Sequence, residues 1–314
     1  MAVKEFLRNV PIPICGLAVG LASLDRFLSQ NYDFYEYNIF AAFSAIMIFL
    51  FAMRVVTDIK GIKKDLESPI LFSILSTCPM TLLILATYLF EVSDVVGQVL
   101  WLVSLAWVFA MMPIFFVRFV VKFDINKVFP SWFVMFVGSV VSSITSVAVG
   151  FTDIGRIVFW FGLISYAVLM PVISYRVLVV RKIPESAIPN LAIFAAPANL
   201  LLVGYITVYG STASDIIVGV LAAIGMVCYF AVLTYMPFMV KRTFYPSYGA
   251  FTFPMVISMT SISLIGAFYG LSYGWYDAFK TISVVIAVVV VTYVLIRYMI
   301  FFCGIAAKTS NSGA

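Results

Sequence analysis

The sequence predicts an all-α integral membrane protein: ten transmembrane helices in five quasi-repeated helical hairpins, with the odd-numbered helices forming an inner ring around a central pore. Three observations lead there. Hydrophobic residues make up 64% of the chain and charged residues 11%, with a mean hydropathy of +1.12, far from the roughly 25% charge of a soluble domain. Long uncharged stretches such as 69–90 and 281–296 approach or match the roughly 17 to 25 residues that cross a bilayer as a helix. Finally, Pro11, Pro69, Pro130, Pro189 and Pro246 recur about 60 residues apart, and so do Asp33, Asp94, Asp153, Asp215 and Asp277. A fixed period holding two spans marks a repeated hairpin.

The elements follow in order. Hairpin 9–57 holds spans 9–29 and 37–57, opened by Pro11 and closed by Arg54. Hairpin 69–121 starts at Pro69, turns near Asp94 and ends past Arg118, giving spans 69–91 and 95–121. Pro130 and Asp153 open spans 130–150 and 154–180 of the third hairpin, 130–180, which ends past Arg176. The fourth, 189–239, runs from Pro189 through Asp215 to Lys241 and Arg242, with spans 189–210 and 215–239. The fifth, 246–301, has spans 246–270 and 277–301 and ends past Arg297. Together they form one membrane domain, 1–314, and no cleaved signal is expected, because the first apolar stretch runs straight into a repeat unit.

Orientation comes from the 19 basic residues. All but Arg26, Arg156 and Lys280 fall on the side of the amino terminus, which places both termini in the cytoplasm of a plasma (inner) membrane protein. The charge excess therefore describes a basic inner mouth and not a nucleic-acid surface. Histidine is absent, and Cys15, Cys78, Cys228 and Cys303 show no disulfide or metal spacing. No phosphate-binding loop or dinucleotide glycine pattern is present. An enzyme, a cofactor and a bound metal are all unexpected.

The two helices of each hairpin differ in kind. Odd helices carry small and hydroxylated residues: Gly16, Ala18, Gly20 and Ser23; Ser73, Ser76, Thr77 and Thr81; Gly138 to Ser146; Ala195, Ala196 and Ala198; Thr252 and Ser258 to Ser263. Even helices are bulkier, as in 101–109 and 284–291. Bulky apolar helices suit lipid, while small and hydroxylated ones either pack closely or face water. Pro79, Pro197 and Pro254 lie deep in helices three, seven and nine, with Gly138 in the equivalent slot of helix five; such residues kink or loosen a helix. The arginines at the inner ends of even helices read as snorkelling anchors. The acids Asp94, Asp153, Asp215 and Asp277 read as caps, and Asp153–Arg156 and Asp277–Lys280 as surface pairs. Across the membrane the odd helices contain no ionisable Asp, Glu, Lys or Arg, so the expected pore wall is uncharged, which disfavours proton coupling and suits passive flow.

The segment Tyr248-Gly249-Ala250-Phe251-Thr252-Phe253-Pro254-Met255 resembles the ninth-helix segment of the TehA and plant slow-type anion channel family. Ser68-Pro69 with Pro79, Pro130-Ser131 and Ala196-Pro197 are similar at matching places, and the resemblance spans about residues 9–303. It implies a homotrimer in which each protomer holds its own pore, formed by five inner helices and closed by one phenylalanine on helix nine; Phe253 holds that position here. Tellurite resistance and dicarboxylate transport are labels the family also carries. Helices one and five lack the second deep proline, and the long regulatory termini of the plant channels are missing, so phosphorylation control is not expected.

Immediately before the kink layer stand Cys78, Val137, Ala196 and Phe253, with Leu17, Ala18 and Val19 on helix one. One bulky ring facing smaller side chains can plug a narrow apolar throat. The expected gate is Phe253, and the expected pore lining is Gly16, Ala18, Gly20, Ser76, Cys78, Pro79, Val137, Gly138, Ala196, Pro197, Thr252 and Pro254. The expected function is a passive anion channel, with inorganic or small organic anions as its partners. The alternative is a secondary transporter of organic anions or oxyanions such as C4-dicarboxylates or tellurite.

Overall fold

The computed structural model describes the backbone of residues 2–33, 35, 37–240 and 243–311. Lys241, Arg242 and the side chain of Lys308, counted above among the inner basic residues, lie outside the described residues. Among the described residues twelve helices, besides a single 3-10 turn at Ile125–Lys127, follow one another: α1 (Ala2–Arg8), α2 (Ile14–Asn31), α3 (Ile39–Thr57), α4 (Ile59–Asp65), α5 (Pro69–Val92) and α6 (Asp94–Val120). After them come α7 (Trp132–Ser146), α8 (Thr152–Val180), α9 (Glu185–Thr212), α10 (Asp215–Met239), α11 (Pro246–Tyr269) and α12 (Gly274–Asn311). Among the described residues no strand occurs.

Eight of these helices are long and apolar enough to cross a membrane: α3, α5, α6 and α8 to α12. The other two expected spans are weaker. Helix α2 carries Asp25 and Arg26 in its outer half. The expected 130–150 is helical as the shorter Trp132–Ser146, interrupted by a 3-10 stretch at Val137–Val140 around Gly138.

Burial separates the two sets of helices. In α5, α9 and α11, 78%, 78% and 67% of the most apolar window is buried, whereas α3, α6, α8, α10 and α12 bury only 28 to 39%. A helix that is apolar all round and mostly uncovered is suited to lipid. Helices α2, α5, α7, α9 and α11 pack each on the next, and α11 returns to α2, so the five close on themselves. Each is flanked by the helix that follows it in sequence: α3, α6, α8, α10 and α12 respectively.

Close approach explains several glycines. A methyl at Gly97 would stand 2.5 Å from Phe90 Cα, which is what lets α6 fold tightly back on α5. One at Gly225 would meet the Asn199 side chain at 2.5 Å.

The inner-end arginines correct the snorkelling expectation. Arg54 and Arg176 are 6% and 1% exposed. Arg54 donates to Val10 O at 2.6 Å and pairs with Asp65, while Arg176 lies over the Phe129 ring and donates to Lys182 O. Arg118 lies over Phe72, and Arg297 over Phe244 and Tyr248. The buried guanidinium groups of Arg54 and Arg176 thus turn inward and pin the start of the inner helix of their own hairpins, while Arg118 stays exposed over its ring, as a snorkelling anchor does. Planar guanidinium on an aromatic face is a favourable way to do so. The acids differ too: Asp94, Asp153, Asp215 and Asp277 sit in first turns, but the N-caps of α6, α8 and α10 are Ser93, Phe151 and Ser214, and none makes a side-chain cap bond. Near a helix N-terminus the carboxylates favour the dipole without a cap bond. Asp153–Arg156 at 2.9 Å and Asp277–Lys280 at 3.4 Å are surface pairs.

Candidate permeation site

Two cavities lie along the inside of the five-helix ring, and Phe253 lines both. The inner one, about 50 Å³, is also lined by Gly16, Val19, Ile74, Thr77, Met80, Phe133, Val137, Gly138, Ile193, Ala196, Pro197, Leu200 and Pro254. The outer one, about 430 Å³, is lined by Ser23, Arg26, Gln30, Thr87, Val141, Thr145, Thr207, Ile257, Thr260 and Ser263, among others. At roughly 10 to 15 Å³ of such volume per water, the inner space holds a few waters and the outer one a hydrated ion. Phe253, 8% exposed, is the residue common to the two linings.

Local structure explains why this layer is irregular. In α9 the 3-10 run Glu185–Ala195 gives way to α-helix at Pro197, and in α11 the 3-10 run Pro246–Phe251 gives way at Thr252. Proline lacks the amide needed to continue the ladder, so the helix changes form just before it. Helix α7 has no proline there and is still broken at Val137–Val140, where Gly138 leaves space that Met80 Sδ fills, 2.8 Å from where a methyl would stand. The sequence placed Phe253 one residue before Pro254, and the structure sets its ring at the change of helical form.

Seven of the thirteen residues singled out from sequence line the inner cavity: Gly16, Val137, Gly138, Ala196, Pro197, Phe253 and Pro254. The other six lie outside both cavities, at helix contacts. Ala18 is fully buried and its carbonyl accepts from Ser44 Oγ at 2.8 Å. A methyl at Gly20 would stand 2.3 Å from Thr252 Oγ1, and Thr252 Oγ1 itself donates toward Gly16 O and Gly249 O. Ser76 Oγ reaches Ser73 O and Val134 O. Cys78 and Pro79 are buried in α5, the former beside Cys15 of α2. For these the close-packing use of small residues holds.

The outer cavity was largely missed, although its signal was present. Ser23, Thr87, Thr145, Thr207 and Thr260 supply a hydroxyl from each inner helix, and α11 adds Ser263. The first five each donate to a carbonyl of their own helix, at 2.7, 2.7, 3.0, 2.7 and 2.9 Å respectively. With their protons so committed, these groups offer oxygen lone pairs to the chamber.

Arg26 also corrects the fully uncharged wall. Its guanidinium reaches the outer chamber while bonded to Glu91 at 2.6 Å and lying 5.0 Å over the Tyr88 ring. Next to it Asp25 is 0% exposed, accepting from Tyr88 Oη at 2.7 Å, from Ala41 N at 3.0 Å and from the Tyr35 hydroxyl. Burial, with the Asp25 carboxylate beside it, pushes the Tyr35 hydroxyl up from its usual range, so it stays protonated and donating at neutral pH. This network fixes the α2–α3 turn at the outer mouth. Among the described residues no cluster of His, Cys, Asp and Glu suited to a metal occurs.

An all-helical, multi-span membrane protein with two internal cavities that share one aromatic lining residue is the class these features define. The family model of SLAC1, the voltage-dependent anion channels, matches residues 14–299, and the chain belongs to that family. Membership points to anion transport and to a transport protein rather than an enzyme. A search of curated proteins returned no match.

Proposed function

We propose that the protein is a passive anion channel in which the two cavities are one path and Phe253 is its gate. Ten spanning helices, the eight long apolar ones together with α2 and α7, form five hairpins around that path. The observation that carries the reading is the Phe253 ring, which borders both cavities at once. Apart from Arg26, which is held by Glu91, and the Ser263 hydroxyl, the wall consists of apolar groups and internally bonded hydroxyls, and so weak a lining suits conduction rather than carrier turnover. The basic excess at the amino-terminal side supports cytoplasmic termini in an inner membrane. The family resemblance supports a homotrimer with one path per protomer. Purified protein in liposomes should pass nitrate or chloride current with no proton or sodium gradient, and Phe253→Ala should enlarge it. Uptake that requires such a gradient would instead identify a secondary transporter.

A further inference from the structure

Arg26 is the only charged side chain among the described residues that line the two cavities of the ring. It also lines a third, polar cavity of about 500 Å³, together with Asp33, Tyr35, Tyr88 and Glu91. Arg26 and Gln30 are common to the outer chamber and this third space, whereas Asp33 and Glu91 line only the latter. The cation therefore stands at the boundary between a chamber with no acid in its described wall and a vestibule with two.

Two contacts hold the guanidinium in place. Its Nη1 donates to Glu91 Oε1 at 2.6 Å, and the group lies 5.0 Å over the Tyr88 ring, which is itself tethered by a 2.7 Å hydrogen bond from Tyr88 Oη to Asp25. Among the described residues, Nε and Nη2 make no hydrogen bond to protein. Neither is sealed off. Arg54 Nε and Arg176 Nε and Nη1 are buried without a partner, whereas no Arg26 nitrogen is, and the Arg26 side chain is 23% exposed. Nε and Nη2 share one edge of the guanidinium, where two N–H bonds run parallel, and such an edge matches two coplanar oxygens of one anion.

We propose that Arg26 is an oxyanion-binding residue of the outer chamber, its Nε–Nη2 edge donating two hydrogen bonds to a small planar monovalent oxyanion such as nitrate. The proposal rests on the reading of the cavities as an anion path and adds the group that holds the ion on the outer side of Phe253. Glu91 does two things here. It fixes the other edge of the guanidinium, and its charge offsets part of the attraction, so a bound ion is held weakly enough to leave. A halide is drawn by the same charge but has no pair of oxygens to match the two parallel donors. Binding fills the chamber and leaves the barrier at Phe253 as it was, so Arg26 governs half-saturation and not the permeability ratio.

The experiment uses the purified full-length protein in liposomes, in a Phe253→Ala background, with sodium nitrate or sodium chloride on the side of the outer chamber. Arg26→Lys keeps the charge and loses the two-donor edge, so it should raise the nitrate concentration for half-maximal current by about threefold or more and that for chloride by less. Glu91→Gln keeps an acceptor for Nη1 and removes the competing charge, so it should lower the nitrate value. These opposite signs separate binding from bracing, because an ion pair that only braces α2 against α5 is weakened by either change. Both variants moving the nitrate value the same way therefore overturns the proposal, as does an Arg26→Lys effect that is missing or equal for the two anions. Should Arg26→Lys fail to fold, the sign of the Glu91→Gln change decides, a raised or unchanged value overturning the proposal. If Phe253→Ala carries no current, the gate reading fails and Tm decides the role of Arg26. Nitrate in place of chloride at equal ionic strength should then shift the parent upward relative to Arg26→Lys, and equal shifts overturn the site.

Discussion

The inner and outer cavities share Phe253 and differ in everything else. The inner one is about 50 Å³ with an almost wholly apolar wall, and the outer one about 430 Å³ with a hydroxyl from each inner helix and Arg26 at its rim. The difference teaches where an ion loses its water. In the outer chamber there is room to stay hydrated, and five of the hydroxyls there bond inward to their own helices. In the inner cavity there is room for little water and few groups to replace it. If the two cavities are one anion path, as proposed, Phe253 is the partition between them and the resistance lies between Ala196 and Phe253, so substitutions on the inner side should matter far more than those outside.

The largest effect that sharpens this contrast is removal of the partition. Phe253→Ala should raise anion conductance by about tenfold or more and Phe253→Leu by less, with normal expression, as measured in liposome or oocyte recordings. Phe251→Ala should not open the path. Phe251 is 1% exposed and its ring packs 5.2 Å from Tyr248, so its truncation should cost about 3 to 5 kcal/mol of stability, read as lost thermal resistance. A Phe253→Ala protein as closed as the parent breaks the comparison.

The next effect concerns ion choice. A narrow throat with an uncharged wall compensates dehydration poorly, so iodide and nitrate should pass at least as well as chloride in bi-ionic reversal potentials. A preference for potassium over chloride would mean that carbonyls freed at Pro197 and Pro254 line the throat instead.

A smaller effect tests the two sides directly. Val137→Thr would place a hydroxyl at the inner cavity and should shift the chloride-to-nitrate permeability ratio by about two- to threefold. Thr207→Val in the outer chamber removes only a bond to Val203 O and should leave that ratio unchanged. Equal shifts from both would show that hydration is lost evenly along the path.

Much of this was legible in the sequence, but not all of it by the same logic. Composition and the recurring prolines and acids specify helices and their order, because a bilayer demands long apolar stretches. The place of Phe253 on the cavity wall was legible because it is a large residue placed before a proline, a local fact. Which small residue faces the cavity was not. Gly16 lines it, while Gly20, one turn on, presses against Thr252; a turn of helix moves a side chain from space to contact, and the 3-10 runs shift the phase unpredictably. Arg54 and Arg176 were misread for a different reason. A charge near a span end usually reaches water, and only the tertiary neighbours, Val10 with Asp65 for one and Phe129 for the other, reveal that these two are buried.

The smallest expected effect lies beyond the inner cavity, at its approach. Lys63 and Lys64 are exposed in the last turn of α4, on the basic side of the chain. If they raise the local anion concentration, they do so through water, where a charge is screened within about 8 to 10 Å near physiological salt. Their contribution should therefore appear only at low ionic strength. Replacing both by glutamine should reduce conductance by less than about twofold at low salt and leave it unchanged at high salt. The same substitution should not alter the chloride-to-nitrate ratio, because selectivity is set deeper, where water is lost. Unchanged conductance at both salts assigns the two lysines to membrane orientation alone. A change in the ratio would place part of the selectivity at the mouth and erase the contrast between the approach and the throat.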